Sequence, residues 1–445
     1  MTAKPSGRRR VAWMLNHYAL PPSRSGGTRH YELARHASDH GWDVYVIAAS
    51  TGLGSGEQIL GRWRRSASTV ERGVHFTWLK APSYSGNGGK RYLNMAVFAA
   101  NAWLPGASRG LPRPDVIIGS TVHPLTAVAA HRLARRYRVP FVFEVRDLWP
   151  ETLVAFGAIE AGSSIERVLA ALVGHLYRAA DRVITTMPRG ADCISEYGVA
   201  PEKVAWIPNG VDLSCFPHTP APSGHEELRL LYSGAHGQAN GLDMLVEGMA
   251  MVHRFDGGPR VRLDLVGDGP MKPALERQVD ELGLAGVVRF HPPVPHSDVP
   301  QLLAAADVLV LVARDLPDLY RFGVSPNKLA EYLAAGRPIL AALSSPGDLV
   351  TESGAGVVVA PTADSIAQGI CALAGMDDAE RDRRGLLGRE YAESHVDFKT
   401  LGRGLARLLD DVTASRRSSK DAPPPTATSA ISVAEARDIP GPLHV

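Results

Sequence analysis

The chain has 445 residues, of which 45% are apolar and 21% charged, so large cores are available and wholesale disorder is excluded. Three cysteines, Cys193, Cys215 and Cys371, lack pairing or metal-ligand spacing, which argues against a disulfide framework and fits a reducing compartment. The net charge of +2 hides an asymmetry: residues 1–115 carry 16 Lys and Arg against six Asp and Glu.

A basic first quarter suits an anionic membrane or a phosphorylated acceptor, since no nucleic-acid motif accompanies the charge; a merely soluble surface is the plainer alternative. No run approaches the roughly 20 apolar residues of a membrane-spanning helix. The opening MTAKPSGRRRVAWMLNHY is basic and then only briefly apolar, so it reads as a lead into a first strand rather than a signal peptide.

Along the chain, short β-rich runs alternate with longer amphipathic ones. RVAWMLN is followed by TRHYELARHASDHG and DVYVIAA, then DVIIGS, HPLTAVAAHRLARRY, PFVFEVRD, IERVLAALVGHLYRAA and RVITTM. Strands separated by helical patterns of about 10–15 residues indicate βαβ units and a parallel sheet. WIPNGVD, Trp206 to Asp212, is a turn-rich break, and PHTPAPSGHEE reads as a linker. The pattern then restarts at ELRLLYSG and runs through VRLDLVGDGP, VVRFHPP, VLVLVA, PILAAL and GAGVVVAP with helical stretches between them. The expected organisation is a first α/β domain over 1–208, a second over 209–395, a last helix over 396–414 and a disordered Ser/Pro/Ala/Thr-rich tail over 415–445.

In parallel sheets, ligands bind beyond the carboxyl ends of strands, so the loops there are where chemistry is sought. The loop from Arg314 to Pro326 follows VLVLVA and leads into SPNKLAEYL. Ser325 and Pro326 read as a cap and a first helical position. Lys328 then sits in the first turn, the wrong end for a cation, because a helix start carries about half a positive charge. A bound anion would reverse that penalty; an i,i+3 pair between Lys328 and Glu331 on a wet surface is the alternative. Gly26 and Gly27 allow close backbone approach after the first strand, or form a plain turn. They do not build a dinucleotide fingerprint. FVFEVRDLWPETL gathers Glu144, Arg146, Asp147, Trp149 and Glu151 at a strand end, where charge needs a role or an ion-pair network. VGDGP, with Gly267 and Asp268, is another strand-end turn.

Taken together, NHYALPPSRSGGTRHYELA, FEVRDLWPETLVAFGAI, IPNGVD, YSGAHGQANGLDML, LVGDGP, AAADVLV and SPNKLAEYLAAGRPIL resemble a known family. The chain resembles the retaining, nucleotide-sugar-dependent glycosyltransferases of family 4, group 1, and within them the bacterial surface-polysaccharide branch that includes L-fucosamine transferases. The resemblance implies the GT-B fold, two Rossmann-like parallel-sheet domains facing across a cleft. It implies a hexosyl or related glycosyl transferase with a UDP-sugar as donor and no metal or other cofactor. On the donor side it points to Gly26, Gly27, Gly234, Gly237, Asn240, Gly267, Asp268, Ser325, Asn327, Lys328 and Glu331, with Glu331 on the nucleotide ribose. On the acceptor side it points to Arg146, Asp147, Trp149 and Glu151. Asp147, Lys328 and Glu331 are the residues expected to carry catalysis.

Several family positions are changed. The first glutamate of the paired motif is Gly323, the usual arginine after the domain's first strand is Ala235, the following lysine is Asn240, and the acceptor-side histidine is Arg146. Lys328 is the expected substitute for the lost cations, with Arg314 or Arg321 in support and Asp315 or Asp318 for sugar contacts. Residues 62–65 and 88–105 mix basic and aromatic residues beside an apolar helical run, which suits an interfacial segment or an ordinary core helix. The expected partners are a nucleotide sugar, a lipid-linked or small glycan acceptor and an anionic membrane surface, with no nucleic acid. The expected location is the cytoplasm, extending to the inner face of the cell membrane. A sugar-nucleotide epimerase and a non-catalytic sugar-nucleotide-binding protein are the competing readings.

Overall fold

In the computed structural model, residues 8–24, 27–52, 56–84, 86, 88–220, 224 and 226–421 are described. The first sheet contains β1 (Arg10–Leu15), β2 (Trp42–Ala49), β3 (Ser66–Glu71), β4 (Val74–Leu79), β5 (Val116–Ser120), β6 (Phe141–Val145), β7 (Arg182–Thr185) and β8 (Val204–Trp206). Their spatial order is β3-β4-β2-β1-β5-β6-β7-β8. The helices of this part are α1 (Arg29–Ser38), α2 (Gly89–Trp103), α3 (Pro124–Tyr137), α4 (Glu151–Ala155), α5 (Ser164–Ala179) and α6 (Gly190–Ser195). The second sheet contains β9 (Leu228–Ser233), β10 (Val261–Val266), β11 (Val288–His291), β12 (Val308–Val312), β13 (Ile339–Ala342) and β14 (Gly356–Val359), ordered β11-β10-β9-β12-β13-β14. With it come α7 (Leu242–Arg254), α8 (Lys272–Glu281), α9 (Val299–Ala304), α10 (Pro317–Tyr320), α11 (Asn327–Ala335), α12 (Leu349–Ser353), α13 (Ala363–Ala374) and α14 (Asp378–Tyr391).

Every strand pairing within the two sheets is parallel except that of edge strand β3 with β4. The central strands are buried along their whole length because helices cover both faces, and they are mostly apolar, with Ser120 and Glu144 as polar exceptions near their carboxyl ends. VIIGS of β5, FVFEV of β6 and VLVLV of β12 are buried at every residue. Strand order reverses around β1 in the first sheet and around β9 in the second, so each sheet opens a crevice at the carboxyl ends of its central strands.

The chain crosses between the domains twice, and the crossings lie side by side. The Val211 amide donates to Val396 O at 2.9 Å, and the Phe398 amide donates to Val211 O at 3.0 Å. From that point α15 (Phe398–Asp421) returns to the first domain. Phe398, Leu401, Leu405, Leu409 and Val412 join the core that contains Leu33, Trp42 and Val44. The Trp42 indole donates to Asp410 Oδ1 at 2.7 Å. A Cβ on Gly402 would lie 2.3 Å from His36 Cβ, so glycine there lets α1 and α15 pack closely. The expected boundaries of the last helix are therefore corrected. It begins at Phe398 rather than 396 and continues to Asp421, which makes residues 415–421 helical rather than tail. Its apolar residues bury against the first domain as far as Val412, and the helical backbone runs on through the polar residues whose composition suggested an end. The rest of the expected tail, 422–445, lies outside the described residues.

Among the described residues no helix is long and apolar enough to cross a membrane.

Candidate functional site between the two domains

The helix α11 starts one residue later than its sequence suggests. Pro326 is the N-cap, in extended conformation with ψ 137°, and supplies no side-chain cap. Proline locks φ but has no side-chain acceptor to offer the first-turn amides. The helix ends where Gly336 turns left-handed at φ 65°.

Lys328, in that uncapped first turn, folds back over the end of β9. Its Nζ donates to Tyr232 Oη at 2.6 Å and lies 4.0 Å from the centroid of the same ring. Tyr232 Oη in turn donates to Ala235 O at 2.7 Å. A Cβ on Gly234 would stand 2.7 Å from Lys328 Nζ, and Gly234 has φ 147°, so a side chain there would obstruct the ammonium. Burial pushes the Lys328 pKa down to about 7, with Glu331 pulling weakly the other way. Glu331 faces a different neighbour: its Oε1 lies 3.8 Å from His296 Nδ1. Burial raises the Glu331 carboxyl, opposed first by His296 and then by Lys328.

Lys328 shares a cavity of about 280 Å³ with Asn240 and Ser325 from its own domain and with Arg146, Asp147, Thr152, Phe156 and Met187 from the other. Ser325 is fixed by the interdomain segment: its Oγ accepts from the Asn209 amide at 3.3 Å, and its carbonyl accepts from Asn209 Nδ2 at 2.6 Å. Asn240 Nδ2 donates to Ala235 O at 2.9 Å. Across the gap, the Arg146 amide donates to Thr121 Oγ1 at 2.9 Å, which anchors the loop after β6. Asp147 is open to the cleft but otherwise enclosed by protein, and the lost solvent raises its carboxyl pKa against the pull of Arg146 and Arg91.

The structure thus gathers Arg146, Asp147, Asn240, Ser325 and Lys328 around one space, with Gly234 beneath the ammonium. Other expected residues stand elsewhere. Glu331 and Asn327 are on α11 outside the cavity lining, and Asn327 is exposed. Trp149 packs against the first domain's core, and Glu151 accepts from Tyr197 Oη at 3.1 Å, so Thr152 and Phe156 face the cavity instead. Gly267 and Asp268 interlock with the Gly234–Gly237 turn: the His236 amide donates to Asp268 O at 2.8 Å, and a Cβ on Gly267 would lie 1.9 Å from Gly234 O. Gly237 is the N-cap of the short helical turn Gln238–Asn240. Gly27 has open space around it, and Gly26 lies outside the described residues.

The supporting cations are occupied. Arg314 pairs with Asp243 at 2.8 Å, and Arg321 pairs with Glu196 of the first domain at 3.0 Å. Asp315 and Asp318 are exposed and do not line the cavity. Glu144 belongs to an interior network, accepting from Arg29 at 2.9 Å and hydrogen-bonded to His30 at 2.8 Å. Arg29 also donates to Ile207 O at 2.8 Å, so this carboxylate helps hold the interdomain segment.

Gly323 has a steric reason. Its φ is 95°, and a Cβ would lie 2.7 Å from Pro188 Cδ of the first domain. Next to it, Phe322 is buried in the first domain's core, and its carbonyl accepts from the Arg189 amide at 3.0 Å. The segment where a glutamate was expected instead closes the two domains against each other. Tyr232 and Asn209 were not anticipated; the first was visible only as the last apolar residue of a strand, the second as a turn residue.

Two Rossmann-like parallel-sheet domains with such a cleft define the GT-B class. Residues 26–210 match the glycosyl transferase 4-like domain and residues 227–375 match the glycosyl transferases group 1 family, and the chain belongs to this family of glycosyltransferases. It is 29% identical over 227 residues to the D-inositol 3-phosphate glycosyltransferase of Streptomyces scabiei, covering 47% of this chain and 48% of that protein. The chain spans about half the length of the curated relatives it matches. Among solved structures, it is similar to a sucrose-phosphate synthase from Thermosynechococcus elongatus, with a TM-score of 0.70 and 18% identity over 92% of this chain and all of that one. It is also similar to Anabaena HepE in complex with UDP and glucose, with a TM-score of 0.62 and 17% identity over 90% of this chain and all of that one.

Proposed function

We propose that this protein transfers a sugar from a nucleotide-sugar donor, a UDP-sugar, to a hydroxyl group of an acceptor with retention of configuration. One observation carries the reading. A desolvated lysine at an uncapped helix start, in an interdomain cavity, makes its hydrogen bond to a tyrosine hydroxyl rather than to a carboxylate. That arrangement suits a diphosphate, whose negative charge grows as the glycosidic bond breaks. Lys328 and the first amides of α11 hold the departing diphosphate. Arg146 and Asp147 hold the transferred sugar and the acceptor from the opposite wall. Glu331, one turn further along α11 beside His296 and outside the cavity lining, is the residue assigned to the ribose hydroxyls, where the nucleotide extends beyond the cavity. The resemblance to family 4 supports retention, and the similarity to HepE, solved with UDP and glucose, supports a UDP-sugar.

The acceptor is a lipid-linked glycan of the surface-polysaccharide type, met at the inner face of the cell membrane, as in the L-fucosamine branch. Supporting this, α2 leaves Tyr92 and Leu93 about half exposed near Lys90 and, at its other end, Trp103 half exposed under Arg132, and Trp63 next to Arg62 and Arg64 is 86% exposed. Flotation with anionic vesicles checks the membrane contact; absence of binding at low salt removes it.

A thermal-shift screen of nucleotide sugars tests the donor reading. The donor raises the melting temperature strongly in the natural chain and not in Lys328→Met. If no nucleotide sugar stabilises the protein, the reading fails. The anomeric coupling in the product's proton NMR spectrum tests retention.

A further inference from the structure

A second concavity lies at the opposite pole of the first domain, away from the cleft. It measures about 230 Å³ and is bounded by the residues that lead into β1, β5 and β6 and by the last turns of α15. Four arginines line it: Arg8, Arg113, Arg138 and Arg416. Asp115 is the carboxylate among the lining residues, and its Oδ2 accepts from the Val11 amide at 2.9 Å. The nearby Asp181 lies 3.3 Å from Arg416 and also accepts from the Phe141 amide at 2.8 Å. Arg113 donates to Tyr137 O at 3.1 Å, one use of a group with five N–H donors. Arg416 Nη1 also donates to Val139 O at 2.9 Å. With Asp115 and Asp181 set against the four arginines, the pocket keeps an excess of two positive charges.

The backbone adds a second observation. Arg138 adopts the left-handed conformation, φ 58° and ψ 41°, at the end of α3. That conformation is uncommon for a side chain other than glycine or asparagine. Here it puts an arginine where the commoner residue is glycine, on the rim of a cavity whose buried Pro114 and Pro140 supply fixed walls. Four permanently charged guanidinium groups around one small space repel one another, and a compact polyanion relieves that repulsion. Guanidinium forks match phosphoryl oxygens in pairs.

We infer that this pocket binds a small phosphoryl anion carrying two or more charges, held by Arg113, Arg138 and Arg416. Because Arg416 lies on the helix that returns from the second domain, the anion ties the far end of α15 to the first domain. The site is separate from the donor cleft and does not depend on the reading of that cleft.

The test is calorimetric titration of the full chain with inorganic diphosphate at fixed ionic strength. It is done in the Lys328→Met background, so that the cleft does not contribute. Binding at one site is expected, weakened at least tenfold in Arg113→Gln with Arg138→Gly. The glycine fits the left-handed backbone, so that variant keeps its fold, and Arg113→Lys alone weakens binding less than Arg113→Gln alone. Flotation with phosphatidic acid vesicles, against phosphatidylcholine, distinguishes a lipid headgroup from a free anion as the source of the phosphoryl group. Loss of flotation in the double variant supports the site as much as loss of diphosphate binding does. If diphosphate gives no heat in the Lys328→Met background, or if both binding and flotation are indifferent to the arginine substitutions, the inference is overturned.

Discussion

At the scale of single residues, Lys328 sets function against stability. Its pKa falls from about 10.5 in the unfolded chain to about 7 in the fold, because burial removes water from the ammonium. Between those values the unfolded chain binds a proton that the folded chain does not, so this group makes stability rise as pH climbs from about 7 to 10.5. Lys328→Met is expected to stabilise the ligand-free protein by about 1–3 kcal/mol near pH 6, where the lysine is charged in both states. Denaturant titration checks the gain, and the same variant loses its response to donor. A bound diphosphate raises the lysine's pKa, so donor binding takes up a proton above pH 7. Donor affinity should therefore decline as pH rises past 7 in the natural chain and stay level in Lys328→Met, as read by titration at several pH values. Asp147→Asn removes the raised carboxyl on the facing wall. It should lower turnover by about a hundredfold or more while leaving the donor-induced thermal shift in place, which separates acceptor chemistry from donor binding.

At the scale of elements, the parallel sheets were legible because their central strands are mostly apolar runs. VLVLVA and FVFEVRD announce both a strand and the loop that ends it. The start of α11 was legible to within a residue from Pro326. Edge strand β3, SASTVE, was not, since five of its six residues are polar or small and its pairing is antiparallel. Glu331 and Glu151 were assigned from their places in motifs, but which way a side chain leaves a helix depends on neighbours distant in sequence, His296 and Tyr197 here. Gly323 shows the same limit, because its need for φ 95° comes from Pro188, 135 positions earlier. Restoring the expected glutamate with Gly323→Glu should therefore not improve activity. It should cost at least about 1–3 kcal/mol from backbone strain alone, and thermal unfolding should show the drop.

At the scale of the whole molecule, contacts on both sides of the cleft decide how far the domains open. On one side Phe322, Gly323 and the Arg321–Glu196 pair join them; on the other, residues 207–212 run beside 396–398. Arg321 and Glu196 are each about half exposed, so their pair is worth less than about 1 kcal/mol. Arg321→Ala should leave the melting temperature nearly unchanged while enlarging the radius of gyration measured by small-angle scattering if the pair holds the cleft shut. The return of α15 binds the halves differently. Leu409 is completely buried in the first domain's core, and Leu409→Ala should cost about 2–5 kcal/mol, measured by denaturant unfolding. That helix also bears on the order of events during synthesis. A ribosome that has finished the first sheet has not yet made the surface that covers Trp42 and Leu33. The amino-terminal half must wait, partly uncovered, while the later-made half completes its own sheet, and it closes only when the last helix leaves the exit tunnel.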